Sequence, residues 1–187
     1  MSPHVQHPRL FHYSAQPLTS MRSAAFKLTG DGYGLYKPNG LWVSPDGPDG
    51  WEFWCRAKGF RLERLQCKTE VRLASEANIL WVRGLAAFDL FSARFAADVR
   101  LSATLSKCGI DWAAVTAAYD GIVIAPHIAP DLLAGRRTVG AEWYAAWDCA
   151  SGCIWSERAV AGLTPMAAPA QEATLVSGEK RLGGHPC

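Results

Sequence analysis

FRLERLQCKTEVRLASEANILWVR, residues 60–83, decides the fold class. Apolar and polar residues alternate in FRLERLQ, in EVRLA and in ILWVR. Period-two alternation sends successive side chains to opposite faces, so each stretch predicts a short strand with one buried face. Working upstream, WEFWCRAK (51–58) predicts a helix stopped by Gly59, and PDGPDG (45–50) is a double turn. GLWVS (40–44) predicts a short strand, KLTGDGYGLYKPNG (27–40) a glycine-rich loop, and LFHYSA (10–15) the first strand. Downstream, Phe88, Phe91 and Phe95 fall at helical spacing within a helix over about 86–97. A second helix over about 110–118 is capped by Asp111. Asp120 sits in the turn before an apolar strand at 121–125, which Pro126 closes. Residues 127–141 read as a loop and 142–157 as the last strand or hairpin. Many short strands with few helices argue for an α+β domain with a split or bent antiparallel sheet.

The chain has 187 residues, 49% of them apolar and 19% charged, enough for one domain with a real core. Residues 1–161 are assigned to that domain. From Gly162 onward the aromatic residues stop and glycines gather toward the end, so 162–187 is expected to be a disordered tail. Nineteen basic residues against seventeen acidic give a net charge of +2, with no global pull toward nucleic acid or anionic lipid. A local basic patch at Arg56, Lys58, Arg61 and Arg64 stands out; its plain reading is a solvated surface. No apolar run approaches the roughly 20 residues that a bilayer requires, so no membrane partner is expected. The polar start, 1–16, lacks the apolar stretch of a secretory signal, which points to the cytoplasm or to delivery into a host cell. The six cysteines are scattered without a CxxC pair and read as reduced thiols. A zinc site from Cys149, Cys153 and His127 would need a regular strand between the cysteines, and no metal is expected. No GxGxxG turn joins a strand to a helix, so a dinucleotide would have to be held without a Rossmann turn.

Three segments carry chemistry: His12-Tyr13-Ser14 on the first strand, Gly40-Leu41-Trp42-Val43-Ser44 followed by Trp54-Cys55, and Glu142 through Trp155. In this order and spacing they resemble the ADP-ribosyltransferases of the diphtheria-toxin-like and poly-ADP-ribose-polymerase-like branches. Those open with a His, follow it with a Gly-aliphatic-aromatic strand and a second aromatic on a helix, and end on a strand bearing an acid. The resemblance spans about residues 10–157. It implies split antiparallel sheets flanked by short helices, with NAD as substrate. Trp42 and Trp54 would sandwich the nicotinamide, His12 would hold a ribose hydroxyl, and the main chain of Tyr13 would read the carboxamide. Ser14, Gly40 and Ser44 would complete the NAD site.

The acid is Glu142 or Asp148. On a regular strand 142, 144, 146 and 148 share one face, about 20 Å apart at about 3.3 Å per residue, so the two carboxylates cannot share one job. Arg136 and Arg137 are candidates to meet the pyrophosphate. The expected activity is NAD-dependent mono-ADP-ribosyl transfer by a monomeric, toxin- or effector-like chain to a protein or nucleic acid acceptor. The alternatives are a non-catalytic module on the same fold that binds an NAD-like ligand or nucleic acid, an NAD-dependent RNA 2′-phosphotransferase, and an unrelated α+β domain whose tryptophans bind a peptide or single-stranded nucleic acid by stacking.

Overall fold

The computed structural model describes residues 7–24, 37–100, 106–128 and 141–166. Nine strands and three α-helices are present among them: β1 (Leu10–Ser14), β2 (Leu41–Pro45), α1 (Trp51–Lys58), β3 (Cys67–Leu73), β4 (Ile79–Val82), α2 (Leu85–Phe95), β5 (Ala96–Arg100), β6 (Ser106–Ile110), α3 (Trp112–Ala118), β7 (Gly121–Ile124), β8 (Ser151–Ile154) and β9 (Val160–Pro165). Seven strands form one mixed sheet in the order β4-β7-β8-β2-β1-β3-β9, and β5 pairs with β6 in a separate hairpin. The protein is therefore α+β. Only β4 and β7 run parallel; the other described pairs are antiparallel.

The middle of the sheet is its weakest seam. β1 meets β2 at two residue pairs, Leu10↔Pro45 and Phe11↔Ser44. On its other side β1 pairs with β3 over its whole length, from Leu10↔Val71 to Ser14↔Cys67. β2 likewise continues along β8 through Leu41, Trp42 and Val43. Beyond Phe11 and Ser44 the two strands part, so the sheet divides into β4-β7-β8-β2 and β1-β3-β9.

Period-two alternation distributes β7 and β8 between two cores. Ile122, Ile124, Cys153 and Trp155 join α2, α3 and the Trp143 region on one side. Val123 and Ile154 join Leu10, Leu41, Val43 and Val71 on the other. Phe88, Phe91 and Phe95 all lie in the first core, as their spacing predicts. The Asp111 carboxylate accepts from the Ala114 N–H at 2.9 Å and caps α3. Gly59 ends α1 in the left-handed conformation at φ 63°.

Four expectations need correction. FRLERLQ is no strand: Arg61 turns at φ 47° and a 3-10 turn follows at Leu62–Leu65, with no residue buried. Alternation without a sheet neighbour cannot make a strand. Residues 142–146 are no strand either. Ala141–Ala146 is a 3-10 turn, and Trp143, Tyr144 and Trp147 are all buried in one core. Their spacing of one and four is helical, and Trp143 is held there by stacking on Phe88 at 5.3 Å and by donating to Ser92 Oγ at 3.1 Å. The β5–β6 hairpin was not expected between two helices. Residues 162–165, assigned to a disordered tail, end β9 and pair with β3; 167–187 lie outside the described residues, as do most of the expected loops at 27–40 and 127–141 and both Arg136 and Arg137.

Asp120 ties the first half-sheet together. Its carboxylate accepts from the Asn78 N–H at 3.0 Å and from Arg158 Nε at 2.9 Å. Burial alone would raise its pKa, but the hydrogen bonds from Asn78, Arg158 and Ser156 outweigh it and hold the carboxyl below its ordinary value. Stability from this group is complete above the ordinary value of 3.8 and is lost as pH falls through the lowered folded value. Asp120→Asn is therefore expected to melt well below the unmodified protein at neutral pH, with the gap narrowing in acid. Thermal melts between neutral and strongly acidic pH check this; a constant gap refutes it.

Candidate functional site

The parting of β1 from β2 opens a cleft of about 330 Å³. Phe11, His12 and Tyr13 line it from β1, and Trp42, Val43 and Ser44 from β2. His12 Nδ1 lies 2.7 Å from the Trp42 carbonyl. A carbonyl only accepts, so Nδ1 carries the proton, and in the neutral ring Nε2 is an acceptor. The imidazole thus bridges the two strands where their ladder has ended.

Trp42 has a ring on one flank and a cation against it. The Trp147 ring is tilted beside it at 5.0 Å, and Lys37 Nζ lies 5.1 Å from the centroid. Burial lowers the pKa of Lys37, and the nearby Asp148 carboxylate works against that.

The second aromatic of the cleft is Trp51, not Trp54. Trp51 is the first residue of α1, and its N–H donates to Ser44 Oγ at 2.8 Å, which draws the helix start against the end of β2. Trp54, three residues on, stacks behind Trp51 at 5.4 Å and 16° and meets Phe60 edge-on. The expected Trp42–Trp54 sandwich is therefore absent.

Ser44 is committed to structure. Its buried hydroxyl donates to the Ala150 carbonyl at 2.7 Å while accepting from Trp51. Gly50 must be glycine, because a Cβ there would run into the Pro45 carbonyl and come within 3.2 Å of Ser44 Oγ. Gly40 lies outside the cleft wall; its missing Cβ lets it pass the Ile154 carbonyl and Cys153 Sγ of β8. Ser14 also lies outside, donating to the Gln16 carbonyl at 2.6 Å. The Tyr13 ring lines the cleft, but its hydroxyl lies between Asp46 at 3.1 Å and Glu52 at 3.2 Å. Burial, followed by those two carboxylates, pushes the Tyr13 phenol well above its ordinary value and keeps it protonated. Lys68 answers both acids and sits 4.3 Å over the Phe11 ring.

The two candidate acids part company. Glu142 falls on the 3-10 turn, so the same-face argument that paired it with Asp148 does not hold, and its side chain is outside the described residues. Asp148 is exposed and lines the cleft, the one carboxylate that does so among the described residues. Ser151, rather than an acid, begins β8, and its hydroxyl donates to the Cys149 carbonyl at 3.1 Å. Lys37, Arg61 and Arg64 also line the cleft. Among the described residues, three basic side chains and one carboxylate line the cleft.

Arg61 and Arg64 belong to the basic patch seen in the sequence, but nothing in the sequence joined that patch to His12. Lys37 and Trp51 carried no sequence signal beyond composition. Burial, chiefly, pushes the Cys149 thiol of the cleft up to about 12 and that of Cys55 up to about 11, so neither is a thiolate at neutral pH. No cluster of three or more His, Cys, Asp or Glu is placed to hold a metal among the described residues. His127 instead bonds Tyr144 at 2.7 Å through Nδ1. No protein-family model, curated protein or solved structure matches the chain.

Ser44→Ala leaves the Trp51 N–H and the Ala150 carbonyl without their partner. It is expected to cost about 1–3 kcal/mol, the usual range for an orphaned buried hydrogen bond. Urea unfolding measures this; a cost within error of zero would show that the Ser44 bridge does not hold α1.

Proposed function

We propose that this chain is an NAD-dependent mono-ADP-ribosyltransferase, built on an ADP-ribosyltransferase-like split sheet, with its NAD site in the cleft between β1 and β2. The observation that carries the reading is the convergence of His12, Trp42, Trp51 and Asp148 on one hollow with three basic side chains. The split of the sheet at that hollow supports the fold assignment. The nicotinamide ring lies against the indoles of Trp42 and Trp51. The face of Trp42 already attracts a cation, the Lys37 ammonium, and NAD brings a cationic pyridinium to the same place. Lys37 then shifts toward Asp148 or the pyrophosphate. Arg61 and Arg64 hold the pyrophosphate. His12 Nε2 accepts from a ribose hydroxyl.

Transfer breaks the bond from ribose C1′ to the pyridinium nitrogen. Nicotinamide leaves as a neutral ring with the bonding pair, and C1′ takes on positive charge. An acceptor nucleophile bonds to C1′ and loses its proton to water. Asp148 is the residue assigned to face the developing cation.

A second reading draws on the same three cations. An RNA 2′-phosphotransferase, which also uses NAD, needs basic residues around its cleft, and Lys37, Arg61 and Arg64 supply them. The deciding assay incubates the protein with NAD, alone and with a 2′-phosphorylated RNA. Nicotinamide release without RNA supports the transferase; release only with the 2′-phosphate supports the second reading. Under the first, Asp148→Asn is expected to reduce release by about 10²–10³-fold with the melting temperature unchanged, and His12→Ala to reduce release strongly and also to lower the melting temperature, because it leaves the Trp42 carbonyl without its partner. Glu142→Gln is expected to retain activity. Loss in Glu142→Gln and not in Asp148→Asn would reverse the acid assignment. A rise in melting temperature with NAD but no release would leave a binding module. No response to NAD would refute the reading outright.

A further inference from the structure

Beside the cleft, α1 and the turn after it expose cations and apolar side chains in turn along the chain. Phe53, Phe60 and Leu62 are 56%, 40% and 49% exposed. Lys58, Arg61 and Arg64 are exposed as well. Arg56 is engaged by Glu52 at 2.9 Å, whereas none of these three has an ion pair among the described residues. Glu63 is the acid that stands among them. The Arg61 guanidinium lies over the Phe60 ring, 5.1 Å from its centroid. Arg61 is also the one non-glycine residue with positive φ among the described residues, at 47°. A left-handed backbone at a non-glycine residue is uncommon and is worth a functional question. Phe60 is held by edge contacts with Trp54 at 5.4 Å and Trp51 at 6.1 Å. The ring–guanidinium pair therefore stands on a packed aromatic base.

We infer that this strip is a docking surface for single-stranded nucleic acid. Phosphates meet Lys58, Arg61 and Arg64, and an unstacked base lies on the Phe60–Arg61 pair. Charge complementarity selects an anion, and the exposed rings select among anions. An acidic peptide would satisfy the cations but leave the rings in water. A duplex hides its base faces. A single strand offers phosphates and base faces together. With a net charge of only +2 on the chain, attraction is confined to this strip rather than spread over the surface. Arg61 and Arg64 line the cleft as well, so a docked strand runs to its mouth. The surface shares Arg61 and Arg64 with the proposed NAD site, so Lys58 and Phe60, which lie outside the cleft lining, are the residues that tell the two apart.

Fluorescence anisotropy of short labelled oligo(U) and oligo(dT) with the full chain tests this across a salt series. Binding is expected to weaken with a log–log slope of about −2, from three phosphate contacts at about −0.7 each. Lys58→Glu is expected to weaken binding and to flatten the slope by at least about 0.7. Phe60→Ser is expected to weaken binding about tenfold with the slope unchanged, and Phe60→Trp to restore it. Lys58 lies outside the cleft, so the response of the melting temperature to NAD should be the same in Lys58→Glu, which separates this surface from the NAD site. Absence of binding to both oligonucleotides at low salt overturns the proposal. So does equal affinity for poly-glutamate or for a duplex of the same length, or indifference to both substitutions.

Discussion

The hydrogen bond from His12 to the Trp42 carbonyl stands where two strands stop pairing. Up to Phe11 and Ser44 the seam between β1 and β2 is an ordinary antiparallel ladder. Past that point a carbonyl on β2 would face the cleft without a strand partner, and a buried backbone acceptor is costly to leave alone. The imidazole meets it at 2.7 Å. A side chain is longer than a ladder bond, so the strands stand farther apart and a hollow opens between them. The split sheet, the cleft and the tautomer of His12 all follow from that substitution of side chain for backbone.

The other wall is placed by the turn at 45–50. Its outgoing end is fastened through Ser44 to Trp51 and Ala150. Asp49 adds a carbonyl bond from the Ala150 N–H at 2.8 Å and a carboxylate bond to the His127 N–H. Tyr13, Asp46, Glu52 and Lys68 fasten β1 to α1 on the far side. Exposed ion pairs of this kind contribute little each. The buried Ser44 and Tyr13 contacts, shielded from water, fix the position of Trp51. Trp51 therefore reaches the cleft while Trp54 serves as its support.

The charge pattern of the hollow is uneven in a useful way. Burial keeps the cleft thiol protonated and depresses Lys37, while Arg61 and Arg64 stand at the exposed rim. Asp148, which lines the same cleft, is exposed rather than buried. The rim cations continue outward into the strip that carries Phe60 and Leu62, so the surface beside the hollow has the same sign as its mouth.

Local rules were readable in the chain. Alternation marked β3 and β4, and a continuous apolar run marked β7; the phenylalanine spacing marked α2; Asp111 and Gly59 marked helix ends. The order of His12, Trp42, Trp54 and an acid at Glu142 or Asp148 suggested a shared site; His12, Trp42 and Asp148 line one cleft, Trp54 does not, and the side chain of Glu142 lies outside the described residues. Where the sequence misled, nearest-neighbour pattern was outweighed by packing. FRLERLQ alternates but has no strand beside it, and the residues from 142 meet the α2 aromatics, which favour a tight helical turn. The sequence alone determined an α+β core, its helix stops and the residue types available for chemistry. Tertiary structure decided that Trp51 displaces Trp54, that Ser44 and Gly40 hold the scaffold, and that Lys37, Arg61 and Arg64 converge. Those outcomes depend on which strand ends part and which side chains close the gap, and contacts between residues as distant as Ser44 and Ala150, 106 positions apart, leave no periodic trace in the chain.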